Sequence, residues 1–250
     1  MDNFKIAIAG DVNADSVKEI TQKIMANLVE KSTAPAAEKF TEFPETADIH
    51  VEKDFPQTVI IFAKNGVNRK DKNFYAAYLL NHILGGSTFQ SRLYKEVREK
   101  RGLTYYSWSS LQSYAAADLW LGGVGTESAK AQESIDVIKQ EIKKLAEQGV
   151  TQAELDSARN YVIGAYPFSL DSSAAVAAHM LDLQLNDLPI DYPTRRDEWF
   201  KAVTLAQVNA LAKKWLGDDK LIFLSVGKNI SENITKKITK DITKDATKNP

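Results

Sequence analysis

Residues 84–105 read LGGSTFQSRLYKEVREKRGLTY, and the fold can be worked outward from this stretch. Gly85-Gly86 stop a preceding helix, and Ser87-Thr-Phe-Gln90 has the spacing of a capping box that opens another. That second helix is expected to turn Phe89, Leu93 and Val97 inward and to end at Gly102. A strand then begins at Tyr105, so two helices lead directly into a sheet.

Upstream, Asp71 to Leu84 places Ala76, Leu79, Leu80, Ile83 and Leu84 in the i, i+3, i+4, i+7, i+8 pattern of a buried helical face. Before it, Asp48–Asp54 and Gln57–Lys64 read as strands separated by Pro56. Downstream, Tyr105–Leu111 and Asp118–Val124 read as two more strands, with Trp108 and Trp120 expected in the core. Helices follow at Ala129–Gln148, from the capping box Thr151-Gln-Ala-Glu154 to Pro167, at Ser172–Leu185 and at Leu205–Leu216. Leu221–Val226 is a last strand. The expected fold is therefore α+β, an antiparallel sheet covered by helices on one side.

The ends stand apart from this body, taken as 47–228. Phe4–Ala9 reads as a strand and Asp15–Glu30 as a helix with Val17, Ile20, Ile24 and Leu28 on one face, ahead of a linker-like stretch, Lys31–Thr46. One strand and one helix cannot bury a core. Like the last strand, the first ends in Gly, which suggests that Phe4–Asp11 closes a preceding domain; two unrelated strands of one sheet are the alternative. Residues 1–46 are thus expected to be the terminal strand-helix of a preceding half plus a linker. Residues 229–250 repeat ITKK, ITKD, ITKD and ATKN. Threonine in every unit disfavours helix, so a solvated tail is expected over an amphipathic partner-binding helix.

Composition narrows the chemistry. The 250 residues are 44% hydrophobic and 26% charged with a formal net charge of −1, so charge gives no reason to expect nucleic acid or an anionic membrane. There is no cysteine, which removes disulfides, thiolate metal sites and a cysteine nucleophile, although it leaves the compartment open. No apolar run suggests a signal peptide or a membrane span. The three histidines, His50, His82 and His179, are far apart in sequence, and neither HExxH nor HxxEH occurs. GxSxG, the Walker loop and GxGxxG are missing too; Gly122-Gly-Val-Gly125 has neither the spacing nor the context of the last. Glu96 and Glu99 sit beside Lys and Arg, where ion pairing is the default.

The segment LGG–S–F–SRL–x4–RE–x2–GL–x–Y resembles the most characteristic stretch in the C-terminal domain of the pitrilysin/insulinase zinc peptidases. The strand-Gly-Asp near residue 10, Gly149-Val-Thr151-x-x-Glu154-Leu-x-x-Ala158 and the strand ending at Gly227 are similar as well, so the likeness spans roughly residues 4–228. The resemblance implies an enzyme built from two homologous halves, in one chain or two subunits, that close around a peptide. One half holds zinc through HxxEH and a distal Glu. The other offers an Arg and a Tyr seven residues apart, which match Arg98 and Tyr105 here and would hydrogen-bond the substrate backbone. Zinc is then expected in the complementary half or partner and none on this chain. Tyr106 competes with Tyr105, but strand alternation would send it to the opposite face. Arg92 and Arg101 are expected to be structural or to line the cavity. The alternative is a non-proteolytic scaffold subunit of the same family. Bacterial relatives often work in the periplasm, so the resemblance points there, while the residues fit the cytosol equally.

Overall fold

The computed structural model describes residues 4–28, 46–87, 89–218 and 220–228, together with 31, 33, 35, 38 and 40. The ITKD-type tail lies outside the described residues. The chain divides into two compact units, Met1–Glu38 with Arg159–Ala202, and Lys39–Ala158 with Val203–Pro250.

The second unit is built on five strands, β1 (Ala47–Glu52), β2 (Gln57–Asn65), β3 (Thr104–Ser113), β4 (Asp118–Glu127) and β5 (Ile222–Gly227), in the order β1-β5-β2-β4-β3. The α+β class is as expected. The sheet is mixed, because β1 runs parallel to β5 while β2·β5, β2·β4 and β3·β4 are antiparallel. A parallel neighbour needs a long crossover, and nearly the whole unit lies between β1 and β5.

Alternation decides which face is covered. Thr58, Ile60, Phe62 and Lys64 of β2, Trp120 and Val124 of β4, and Phe223 and Ser225 of β5 are all buried. Over them lie α2 (Phe74–Asn81), α3 (Ala131–Gln148) and α7 (Leu205–Leu216). Phe62 meets Trp120 edge-on at 5.3 Å and Phe223 at 5.8 Å. Its ring fits only because Gly122 stands opposite, where a Cβ would come within 2.0 Å of Phe62 Cζ. Trp120 donates to Asn81 Oδ1 at 2.8 Å, so its one polar atom is satisfied in the core.

The other sheet face is uncovered within this unit. Val59, Tyr106, Trp108 and Leu224 are exposed, and Trp108 belongs there, not in the core where it was expected. Ser107 and Ser109 turn to the covered face, which sends Trp108 to the open one, and its partner Gly123 leaves room for the ring, since a Cβ there would meet the indole nitrogen at 3.2 Å.

In the first unit, α1 (Ala14–Met25), the later part of α4 (Gln152–Ala165), α5 (Ser173–Leu185) and α6 (Tyr192–Ala202) are helical. No helix was expected between Leu185 and Leu205, yet α6 forms there, with Pro193 in its first turn, where a missing N–H costs nothing. Arg196 on α6 is 5% exposed, stacked 4.0 Å from the centroid of Tyr166 and 4.9 Å from Phe200, and donates to Val162 O. Phe4–Ala9 does not form the expected strand. Strand residues need a neighbour, and this segment has no ladder; Gln184 Nε2 donates to Ile6 O instead. No residue of α1 is buried, so its apolar stripe is uncovered in this unit. Among the described residues, no helix is long and apolar enough to cross a membrane.

Candidate substrate-binding site

The 84–105 segment departs from regular helix at both of its helical turns. His82–Gly86 is π-helical, continuing α2, and so is Tyr94–Glu99. The expected capping box at Ser87–Gln90 does not open the second helix. Ser91 does so, its Oγ accepting from Tyr94 N at 3.3 Å, and Phe89 is left 66% exposed instead of facing inward. Leu93 and Val97 are fully buried, as the periodicity predicts, and they anchor the turn that carries Arg98.

Gly102 ends this turn at φ +58°, a conformation that costs an L side chain energy and glycine little. Its N–H donates to Arg98 O at 2.9 Å, and Leu103 N donates to Val97 O at 2.9 Å. The reversal therefore fixes the Arg98 backbone against the start of β3. There a β-bulge intervenes: Thr104 pairs with Thr126 and Ser107 with Val124, so Tyr105 and Tyr106 together oppose Gly125. Thr104 Oγ1 lies 2.6 Å from the carbonyl oxygens of both Gly125 and Tyr106, stitching the bulge shut.

The bulge decides the two tyrosines. Simple alternation across the strand, the basis for separating them in the sequence, is interrupted here. Tyr106 lies across Gly125, where a Cβ would come within 2.8 Å of its hydroxyl. Tyr105 is 78% exposed. Arg98 and Tyr105 line one cavity of 360 Å³, together with Gln57, Thr104, Glu127 and Lys130.

The arginines of this segment are used differently. Arg92 makes a forked pair with Glu154 through Nε (2.7 Å) and Nη2 (2.9 Å), and donates to Gly149 O. Glu154 also closes the expected capping box, accepting from Thr151 N at 2.8 Å. Burial pushes its carboxyl up, but the hydrogen bonds from Arg92 and Thr151 outweigh this and hold it down at about 2. Arg101 and Lys100 share Glu96, and their hydrogen bonds lower its carboxyl. Arg98 has no carboxylate partner among the described residues. Its Nη1 donates to the Tyr94 hydroxyl, and the guanidinium lies 4.9 Å from the centre of that ring.

No three of His, Asp and Glu come together among the described residues in a way that could hold a metal ion. His50 bonds Ser225, His179 bonds Tyr166, and His82 is buried at the π-turn, where desolvation lowers its pKa. The described residues of this chain do not fit a zinc site.

The model of the family described as peptidase M16 inactive domain matches residues 1–162. The chain belongs to this family. A Bacillus subtilis protein described as an uncharacterized zinc protease, YmxG, is 27% identical over 89% of this chain and 54% of its own length. A Helicobacter pylori relative called a non-peptidase homolog is 21% identical over 90% of this chain and 52% of its own. Among solved structures, an M16 inactive domain from Pseudomonas fluorescens superposes with a TM-score of 0.78 at 28% identity, covering 89% of this chain and 52% of that one. The chain thus spans about half the length of the relatives it matches. It is an M16 inactive domain of the zinc protease kind, the pitrilysin/insulinase resemblance read from residues 84–105.

Proposed function

We propose that this chain is the substrate-binding half or subunit of a zinc metalloendopeptidase, in which Arg98 and Tyr105 grip the substrate backbone. The observation that carries this reading is a guanidinium without a carboxylate partner among the described residues, lining the same cavity as an exposed phenol. A surface arginine ordinarily finds a glutamate, as Arg92 and Arg101 do. One left with a neutral partner keeps its charge for a ligand. Guanidinium and phenol are both donors. Aimed at a peptide carbonyl, they polarise it and stabilise the negative oxygen that develops during hydrolysis. Zinc, held by the complementary half, would supply the activated water. In the same proposal residues 1–46 belong to the end of that preceding half plus a linker, with the helix Ala14–Met25 and without the strand expected at Phe4–Ala9.

The test is hydrolysis of an unstructured peptide by the assembly of this chain with its zinc-bearing half. Arg98→Ala and Tyr105→Phe are each expected to lower kcat/KM by about 10²–10³. With zinc removed, both variants are also expected to bind the peptide more weakly by fluorescence anisotropy. Wild-type rates in both variants would defeat the proposal.

A second reading, a scaffold subunit without proteolysis, draws support from the naming of the Helicobacter pylori relative as a non-peptidase homolog. Co-purification separates the two. A partner carrying HxxEH and zinc supports the peptidase, and a stable metal-free assembly supports the scaffold.

A further inference from the structure

Tyr94 is a buried phenol whose hydroxyl does something unusual for its position. It is 7% exposed, packs edge-on against Phe89 at 5.3 Å, and accepts a hydrogen bond from Arg98 Nη1. The same ring also supports the guanidinium, whose carbon lies 4.9 Å from its centroid. Both residues belong to the π-helical turn Tyr94–Glu99, and the widened turn is sealed beyond it by Lys100 N donating to Lys95 O at 3.0 Å. Residues four apart share a helix face, so a phenol here can meet a guanidinium both through its oxygen and through its ring.

We infer that Tyr94 is the positioning residue for Arg98, fixing the guanidinium toward the cavity without neutralising it. This rests on the reading of Arg98 as a ligand-binding group. A carboxylate in place of the phenol would hold the side chain at least as firmly, but it would also spend the charge. The phenol engages one of the five guanidinium N–H donors and leaves the net charge and the other donors for a peptide carbonyl. A freely rotating arginine would lose side-chain entropy on each binding event; a held one has lost it already. The role is thus pre-organisation, with Tyr94 itself not touching substrate.

The experiment is a double-mutant cycle in the assembly with the zinc-bearing half. Tyr94→Phe keeps the ring and removes the oxygen, and is expected to lower kcat about tenfold with little change in KM, as misplacement of a catalytic group does. Tyr94→Phe combined with Arg98→Ala is expected to be no slower than Arg98→Ala alone, since the hydroxyl acts only through the guanidinium. The melting temperature should hardly move, whereas a merely structural hydroxyl would lower it and add its loss to that of Arg98→Ala. A readout independent of turnover is the rotation of the Arg98 guanidinium by nitrogen-15 NMR of the full chain, slow in the wild type and freed in Tyr94→Phe. Wild-type turnover in Tyr94→Phe, additive losses, or equal rotation in both proteins would overturn the assignment. If Arg98→Ala itself runs at the wild-type rate, the substrate-binding reading has failed, and the rotation measurement still decides whether Tyr94 holds Arg98.

Discussion

Arg92 and Arg98 stand six residues apart on one segment, and the structure spends them in opposite ways. Arg92 is neutralised: a forked carboxylate and a backbone carbonyl tie the segment to the first turn of α4 and the loop before it. Arg98 has a phenol and a cavity. The residue type is the same and the exposure is intermediate in both, so neither property separates structure from function. The partner does. A paired arginine fixes elements to one another, and a charge held by a neutral group remains available to bind.

That contrast can be broken most directly after the Arg98 and Tyr105 variants by truncating the other arginine. Arg92→Ala strands the partly buried Glu154 and is expected to destabilise the fold by about 2 kcal/mol, the scale of a hydrogen-bonded charge. Chemical denaturation measures it. The rate per folded molecule should stay near that of the wild type, the reverse of Arg98→Ala, which should cost rate and leave the denaturation midpoint in place. If Arg92→Ala abolished turnover while the protein stayed folded, the two arginines would not differ as their partners imply.

A pH titration sharpens the same point with a smaller effect. The Glu154 carboxyl sits at about 2 in the folded protein against an ordinary value of 4.5. Because the folded value is the lower one, its contribution is fully present above about pH 4.5 and is lost as the pH falls toward 2. Screening of a pair that is partly in solvent reduces this to about 1–2 kcal/mol. Glu154→Gln should flatten stability over that interval because it removes the titrating charge, and Arg92→Ala should flatten it too because it removes the cation that lowers that carboxyl. An undiminished acid slope in either variant would show that the carboxyl is held by something else.

Much of this was legible in the residues, and the remainder was not for reasons that can be named. Ile60, Phe62 and Trp120 lie where alternation puts them, and α3, α5 and α7 lie where their apolar spacing and caps predict. Those signals are local. The parallel β1·β5 pair joins residues at opposite ends of the unit, and no local pattern encodes it. Trp108 was misplaced because a large aromatic is usually core, while a glycine on the neighbouring strand lets this one lie on the open face. Phe89 was misplaced because the helix opens only after Ser91, so Phe89 lies in the turn ahead of it and takes no place in the helical period from which its direction was read. The partners of Arg92 and Arg98 differ in the same way: Glu154 is 62 residues away, whereas Tyr94, four residues from Arg98, was in plain view.

The smallest predicted effect tests the bulge. Tyr105 and Tyr106 are chemically identical neighbours and both are exposed, so only the local backbone distinguishes them. Opposite the single Gly125, the chain gives up its alternation: one ring settles across the glycine and the other is left at the cavity that Arg98 lines. Tyr106→Phe keeps the ring on its glycine and removes a hydroxyl on the open face. Turnover and stability should therefore stay within about twofold and 0.5 kcal/mol of wild type, as for ordinary surface changes. Gly125→Ala makes the complementary change by pushing the Tyr106 ring off its seat while leaving both hydroxyls in the protein. If Tyr106→Phe were as damaging as Tyr105→Phe, the donor beside Arg98 would be the second tyrosine of the bulge, and the backbone between Thr104 and Ser107 would have to run through the other arrangement of the same two residues.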